Sequence, residues 1–341
     1  MTTWSYAQRS TAYTYWEKQN NFKIIVPNNL YGSAIRLKYS NVYNSKVVPI
    51  KCVRLQILDS EGDELKQFIV SKNCNLPFGQ DAYSNVVEMN VTPGMRLKVD
   101  MCFATYDNPL TGNTFDGYLA MVLQSIEILT REKVSVLACF GDSLTHHGMW
   151  TTPLFQHLYN EFPGKIAGFE VGINGNRLLQ DSLDYQNTLG ISGVKRFNHD
   201  ILELFGLTHV IIALGINDIG LPGTEKTSIS EFPELEDMKR AYEDMALELR
   251  NMGIKAIAAT ITPRNWNCSY IQRRENLRLK FNDWILNTNV FDKVFDFSSV
   301  LAEDGRSGLK RTYDSGDGIH ITDVGGKKLQ EAINIDCFIN N

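Results

Sequence analysis

Residues 134–145 read VSVLACFGDSLT, a short and almost wholly apolar run that ends in a glycine, an acid and a serine. Strands buried on both faces of a parallel sheet have this composition. Four similar runs follow, namely IAGFEV at 166–171, THVIIAL at 208–214, IKAIAATI at 254–261 and KVFDF at 293–297. Stretches of helical period lie between them, at 194–205, 238–252 and 274–287. The pattern predicts an α/β fold with a parallel sheet.

Residues 22 to 130 show a different period, because their apolar residues recur at every second position, as in half-buried strands. Seven runs have this pattern, at 22–27, 35–39, 51–59, 64–70, 85–91, 95–101 and 117–129. Turn residues separate them, and no helix-length pattern interrupts the series. We therefore expect two domains, an all-β sandwich resembling a jelly roll at 1–131 and the α/β domain at 132–341.

Composition excludes several classes of protein. The chain has 341 residues, 34 Lys plus Arg against 39 Asp plus Glu, and a formal net charge of -5, which does not favour a nucleic-acid partner. No apolar run reaches the roughly 18 residues needed to span a membrane, and the first residues do not resemble a secretory signal. A cytoplasmic location is expected, or a secreted one if a signal was removed. The six cysteines are scattered without C-x-x-C spacing, which predicts free, mostly buried thiols.

Polar motifs follow the predicted parallel strands, where open α/β sheets bind their ligands. They are Gly141-Asp142-Ser143-Leu144-Thr145, Gly172-Ile173-Asn174-Gly175-Asn176-Arg177, Gly215-Ile216-Asn217-Asp218 and, near the C-terminus, Asp317-Gly318-Ile319-His320.

These residue types suit nucleophilic catalysis. Ser143 would be the nucleophile, His320 its general base and Asp317 the group that orients the imidazole. The backbone N–H groups of Ser143 and Gly175 and the side-chain amide of Asn217 would stabilise the oxyanion. Each motif alone also has a structural interpretation: a helix cap for Ser143, turns for Gly175 and Asn217, and a surface turn or buried pair for Asp317 and His320. Their occurrence in one order at strand ends favours catalysis.

In this order, Gly141-Asp142-Ser143-Leu144, Gly175, Asn217-Asp218 and Asp317-x-x-His320 resemble the four blocks of the SGNH (GDSL) hydrolase superfamily. The resemblance covers residues 134 to 341 and implies a flavodoxin-like three-layer fold, the catalytic roles given above and no metal or organic cofactor. The stretch 172–218 is similar to the acylhydrolase or arylesterase branch of xylan-degrading gene clusters, in which a β-sandwich precedes the hydrolase. Ile321 stands where the superfamily often has proline. The G-x-S-x-G elbow of α/β-hydrolases is absent around Ser143.

Further residues near these motifs are candidates for substrate contact: His146, Trp150, Arg177 and Trp266. Core packing of the tryptophans and a structural salt bridge of Arg177 are the competing interpretations. No ligand spacing supports a metal site among His146, His147 and His157. The aromatic residues of the first forty positions could bind glycan or pack between the two domains; they are Trp4, Tyr6, Tyr13, Tyr15, Trp16, Phe22, Tyr31 and Tyr39.

The favoured hypothesis is a cofactor-independent serine ester hydrolase that removes short acyl groups, acetyl above all, from carbohydrates through an acyl-enzyme. The expected partner is a small-molecule or oligosaccharide ester, without nucleic acid or membrane. A lysophospholipase or general arylesterase is the first alternative. An acyltransferase and a non-catalytic glycan-binding protein are the others.

Overall fold

The computed structural model describes residues 1–5, 21–42, 47–104, 122–181, 189–225, 227–265, 271–303 and 307–339. Strands before residue 131 are β1 (Thr2–Ser5), β2 (Asn21–Pro27), β3 (Gly32–Ser40), β4 (Val48–Leu58), β5 (Glu64–Leu76), β6 (Asp81–Tyr83), β7 (Val87–Val91), β8 (Arg96–Phe103) and β9 (Leu123–Leu129). All their pairings are antiparallel. One sheet has the order β1-β9-β3-β6, with β7 also paired to β3, and the other has the order β2-β8-β4-β5.

The two antiparallel sheets share one apolar core. Alternate residues of β3 and β9 contribute to it, with Leu37 opposite Ile126, and alternate residues of β4 and β8 do the same, with Leu55 opposite Val99. These side chains are buried; on β8 the neighbours of Val99 are only partly buried, whereas on β9 the neighbours of Ile126, Ser125 and Glu127, are buried as well. The described part of this region contains nine strands against the seven predicted. The additional β1 and β6 have four and three residues, too few for a period to be detectable.

The remaining strands form one parallel sheet. They are β10 (Ser135–Gly141), β11 (Ile166–Gly172), β12 (His209–Ala213), β13 (Lys255–Ala259) and β14 (Lys293–Phe295), in the order β11-β10-β12-β13-β14. All five correspond to the apolar runs of the sequence. Each face of the sheet is apolar: Ala138 and Phe140 belong to one core cluster, and Leu137 and Cys139 belong to the other.

Helices cover both faces, which gives the three layers that the sequence predicts. They are α1 (Ser143–His146), α2 (Thr151–Glu161), α3 (Gly193–Phe197), α4 (Ile216–Gly220), α5 (Leu235–Asn251), α6 (Ile271–Asn287), α7 (Phe297–Leu301) and α8 (Asp323–Ala332). Two 3-10 turns lie at Ile229–Glu231 and Ile335–Phe338. The predicted helix at 194–205 is instead α3 followed by a π-helical turn (Asn198–Leu202). The apolar stripe of α5 consists of Met238, Tyr242, Met245, Leu249 and Met252. It is buried except for Met252, which lies one residue beyond the helix end and is exposed.

The register of the parallel sheet aligns the motifs. Gly141, at the end of β10, is paired with Gly172 of β11 on one side and with Ala213 of β12 on the other. Ser143, Gly175 and Asn217 follow these three positions by two, three and four residues. Parallel pairing therefore brings the first three motifs to one edge of the sheet.

The antiparallel region contacts the α/β region directly. The Thr2 N–H donates to the Phe205 carbonyl at 2.9 Å, and the Asn29 side-chain amide donates to the Ile166 carbonyl at 2.8 Å. Five described cysteines are free, as expected, but only Cys139 is buried. Cys268 lies outside the described residues. Among the described residues, no helix has the length and hydropathy needed to cross a membrane.

Candidate active site

Ser143 is the first residue of α1, directly beyond the end of β10. Asp142 caps this helix, since its Oδ1 accepts a hydrogen bond from the Leu144 N–H at 3.1 Å. The helix lies so close to β11 that a Cβ on Gly172 would be 2.4 Å from the His146 backbone nitrogen. Ser143 therefore does not cap the helix at 151–161, and its tight turn requires glycine on the neighbouring strand.

Three side chains form a chain of hydrogen bonds. Ser143 Oγ lies 2.8 Å from His320 Nε2, and His320 Nδ1 lies 2.5 Å from Asp317 Oδ2. Partial burial raises the pKa of Asp317, but hydrogen bonds from the His320 ring and from the backbone N–H groups of His320 and Ile319 outweigh it and lower this pKa to about 2. Because Asp317 is then ionised, His320 Nδ1 carries the hydrogen and Nε2 can accept the serine proton.

Neighbouring residues fix the turn that carries Asp317 and His320. Asp314 Oδ1 accepts hydrogen bonds from the N–H groups of Gly316 at 2.8 Å and Gly318 at 2.9 Å. Gly318 has a φ of +77°, and a Cβ there would lie 2.7 Å from the Asn265 carbonyl oxygen. Ile321, at the position that often holds proline in the superfamily, is buried in a core cluster. Apolar packing at Ile321 and hydrogen bonds at Asp314 thus restrain the turn.

Two candidate oxyanion donors, Gly175 in the loop after β11 and Asn217 in α4, lie in segments that contact each other. Gly175 adopts a φ of +72°, a conformation that favours glycine. The Asn217 side chain is buried and its Nδ2 donates to the carbonyl oxygen of Asn176 at 3.0 Å. The Asn176 carbonyl, in the motif that follows β11, therefore fixes the position of the Asn217 amide, in the motif that follows β12. Asn176 is a site residue that was not predicted from the sequence, although a polar residue directly after Gly175 is a signal that could have indicated a role.

Two buried carboxyl groups flank these residues. Burial raises the pKa of Asp142 to about 7, against the opposing hydrogen bond from the Leu144 N–H. Burial also raises the pKa of Asp218 to about 6, against hydrogen bonds from the N–H groups of Leu178 at 2.6 Å and Leu179 at 2.9 Å. Asp218 thus holds the chain that follows Asn176. Asp218 belongs to the third sequence motif, Gly215-Ile216-Asn217-Asp218, but had no predicted role.

Two of the predicted substrate contacts are wrong. Trp150 is 1% exposed and packs edge to face against Phe297, with 5.2 Å between ring centroids, so its face cannot stack on a sugar. Arg177 is 3% exposed, forms an ion pair with Glu231 at 2.8 Å and donates to the Asp181 carbonyl. Its guanidinium is therefore paired within the protein and does not face the substrate. Proximity in sequence to the strand ends did not indicate on which side these side chains lie.

The other candidates remain predictions. His146 is partly exposed, and its ring centroid lies 5.2 Å from that of His147. The His147 ring is in turn 5.8 Å from the His320 ring, so His147 is the neighbour that contacts the triad. Trp266 lies outside the described residues.

Of the early aromatic residues, Phe22 and Tyr39 belong to the sandwich core, and Tyr31 is exposed. Tyr39 and Phe22 are therefore not glycan contacts. Tyr6, Tyr13, Tyr15, Trp16 and the side chain of Trp4 lie outside the described part of the chain.

Comparison with known proteins identifies the family. The GDSL-like lipase/acylhydrolase family model matches residues 139–328, whereas no curated protein matches the chain. Among solved structures, a GDSL-like lipase from Bacteroides thetaiotaomicron is similar, with 18% identity, a TM-score of 0.42, and 60% of this chain and 87% of that chain covered. A catalytic mutant of an acetylxylan esterase from Geobacillus stearothermophilus is also similar, with 16% identity, a TM-score of 0.45, and 60% and 94% covered. Since the family model covers more than half of the chain, the protein belongs to the GDSL-like lipase/acylhydrolase family and is a carboxylic ester hydrolase.

Proposed function

We propose that the protein hydrolyses short-chain acyl esters, acetyl esters of carbohydrates above all, through an acyl-enzyme on Ser143. The observation that carries this proposal is the pair of distances from Ser143 Oγ to His320 Nε2 and from His320 Nδ1 to Asp317 Oδ2, 2.8 and 2.5 Å. Ser143 Oγ attacks the ester carbonyl carbon while its proton passes to His320 Nε2. The tetrahedral intermediate then expels the alcohol, which takes that proton. Water releases the acid by the same steps.

The oxyanion would be stabilised by the Ser143 N–H, the Gly175 N–H and the Asn217 amide. A primary amide has two hydrogens, and one of those on Asn217 Nδ2 is directed to the Asn176 carbonyl, so the second can reach an oxyanion. Donors that are fixed before the reaction stabilise the developing charge without reorganisation. The buried position of Asn217 strengthens this effect, because water screens the interaction less.

The exposure of the triad supports a polar alcohol. The His320 side chain is 25% exposed and that of Asp317 is 49% exposed. An alcohol that leaves on the His320 side stays in contact with water, and a polyhydroxylated sugar loses little hydration there.

Hydrolysis of p-nitrophenyl esters from acetate to decanoate tests the proposal, with acetate release from acetylated xylo-oligosaccharides measured in parallel. We expect the highest kcat/KM for acetate and none of this activity in Ser143→Ala. Ser135→Ala is the matched control, because Ser135 begins the same strand and bonds to the Phe338 carbonyl at the opposite end.

A maximum at longer chains would favour the lysophospholipase or general arylesterase alternative. Acetate release that occurs only with an added sugar acceptor would favour an acyltransferase. Full activity in Ser143→Ala would remove Ser143 from the mechanism.

A further inference from the structure

Arg196 is a fully buried cation on α3, beneath the strand ends of the active site. Its Nη2 donates to the Gly141 carbonyl at 2.9 Å, and its Nη1 donates to the Val171 carbonyl at 3.0 Å. Its Nε donates to Asn176 Oδ1 at 2.9 Å. One guanidinium therefore joins the strand that precedes Ser143, the strand that precedes Gly175 and the loop that contains Gly175.

The contact with Asn176 extends to the third motif. The Asn176 carbonyl accepts the hydrogen bond of the Asn217 amide, and the Asn176 Nδ2 donates to the carbonyls of Leu189 and Ile191 at 2.8 Å each. The position of Asn176 thus decides where the Asn217 amide lies relative to Ser143. Arg196 holds Asn176 from below, and its guanidinium also stacks over the Phe140 ring at 4.0 Å.

Asp200 and His199 lie in the π-helical turn and fix the position of Arg196. Asp200 Oδ2 lies 3.1 Å from Arg196 Nη1, and Asp200 Oδ1 lies 2.8 Å from His199 Nδ1. The carboxylate is fully buried and bridges the two side chains. A charged pair without exposure to water is held in one geometry, because its alternatives leave a buried charge without a partner.

The second nitrogen of His199 faces the antiparallel region. His199 Nε2 lies 3.0 Å from Ser40 Oγ on β3 and 3.3 Å from Gln124 Nε2 on β9. Asp81 Oδ1 of β6 is 3.8 Å away, and the other oxygen of Asp81 pairs with Lys38 at 2.8 Å. The Gln124 amide also donates to the His199 carbonyl at 3.1 Å. His199 therefore contacts side chains of the antiparallel sheet that contains β3, β9 and β6.

We propose that Arg196 is a positioning residue for the oxyanion donors and that the N-terminal sandwich fixes its orientation through His199 and Asp200. The sandwich then has a role in the reaction although none of these residues contacts substrate. This inference rests on the proposed function, specifically on Gly175 and Asn217 as oxyanion donors.

The first test replaces the guanidinium. Arg196→Lys keeps the positive charge, but one ammonium cannot reproduce the planar set of donors that reaches three acceptors. We expect kcat for p-nitrophenyl acetate to fall about 10- to 100-fold with KM changed less than about threefold, since small displacements of oxyanion donors cost this much. Arg278→Lys is the matched control, because Arg278 is also fully buried and bonds to the Ile261 carbonyl and Ser298 Oγ.

The second test breaks the link on either side of His199. In His199→Asn, the amide takes the place of Nδ1, so the contact with Asp200 is kept and the contacts with Ser40 and Gln124 of the sandwich are lost. In His199→Gln, the amide takes the place of Nε2, so the contacts with the sandwich are kept and the contact with Asp200 is lost. We expect each to lower kcat about 3- to 10-fold with little change in KM. His209→Asn removes a similarly buried imidazole at the start of β12 and should leave kcat unchanged.

The double variant His199→Asn with Arg196→Lys distinguishes positioning from general stability. If His199 acts through Arg196, kcat of the double variant should equal that of Arg196→Lys within about twofold. A merely structural role would lower the melting temperature and leave kcat of the folded protein intact.

The outcomes separate the two proposals. Absence of esterase activity in the wild type, or full activity in Ser143→Ala, would overturn the proposed function. An active wild type whose folded Arg196→Lys variant keeps the wild-type kcat would overturn the positioning role alone. Should Arg196→Lys fail to fold, the His199 variants decide, and wild-type kcat in His199→Asn would overturn the link to the sandwich.

Discussion

The side-chain amide of Asn217 donates a hydrogen bond to the backbone carbonyl of Asn176 at 3.0 Å. These residues are 41 positions apart: Asn217 lies in α4, after β12, and Asn176 lies in the loop after β11. The contact fixes the amide nitrogen, rather than its oxygen, on the side of the second motif. A donor and not an acceptor is therefore available for negative charge.

Replacement of Asn217 by Ala should remove that donor. We expect kcat for p-nitrophenyl acetate to fall about 10²- to 10³-fold with a small change in KM, because the bond is made only in the transition state. Steady-state kinetics check this result. Asn41→Ala is the control: its buried amide donates to the Leu76 carbonyl at 2.9 Å within the sandwich, so stability should fall without loss of kcat.

Replacement of Gly175 by Ala should lower both stability and kcat. The residue has a φ of +72°, and an added Cβ would lie 2.4 Å from Leu189 Cδ2, so the loop must shift and carry its N–H away from Ser143. The backbone strain alone costs about 1 kcal/mol. Gly253→Ala isolates this cost, since Gly253 has a φ of +73° and no neighbour within 4 Å of the added Cβ. Equal kcat in the two variants would contradict the assigned role of Gly175.

Asp317→Asn should lower kcat about 10³- to 10⁴-fold while KM stays similar. The low pKa of Asp317 reflects hydrogen bonds that favour its charged form, and an uncharged amide no longer fixes the hydrogen on His320 Nδ1. Kinetics at pH 7, with circular dichroism to confirm folding, measure the effect. A loss below tenfold would show that another group orients His320.

The pH dependence of stability should report on His199. Burial lowers the pKa of His199, but hydrogen bonds and charge interactions with Asp200 and Asp81 outweigh this effect and raise it to about 9. The raised pKa adds stability that is complete below the unfolded value near 6.5 and disappears as the pH rises through 9. The free energy of unfolding should therefore fall between pH 6.5 and 9, by on the order of 2 kcal/mol more in the wild type than in His199→Asn.

Urea titrations at pH 6.5, 7.5 and 9 give these free energies for both proteins. Parallel curves for the two proteins would mean that His199 has the same charge in the folded and unfolded states.

The sequence predicted the elements whose signal is local. The five parallel strands are continuous apolar runs, and the register of Gly141 with Gly172 and Ala213 brings the motifs after them together. Sequence order along such a sheet is enough to place strand ends at one edge. The place of Ser143 was predictable for the same reason, whereas Asp317 and His320 lie well beyond the end of β14, after α7, and were predicted from their residue types and spacing.

Side-chain direction and long-range pairing were not predictable. Trp150 and Arg177 lie close to the motifs in sequence, yet one packs against Phe297 and the other pairs with Glu231, 54 positions away. Arg196 and Asp200 did carry a weak local signal, an i,i+4 pair of opposite charges beside an apolar stripe. The hydrogen bond between His199 and Ser40, 159 positions apart, is a long-range contact that no local pattern encodes.

Reaction with an alkyl fluorophosphonate, followed by peptide mapping, tests the central claim most directly, because the reagent phosphonylates an activated serine and releases fluoride. We predict one phosphonyl group per chain, located on Ser143, with esterase activity lost in proportion to labelling. Ser143→Ala should not be labelled. Labelling of another residue in parallel with inactivation, or full activity after complete labelling of Ser143, would contradict the account.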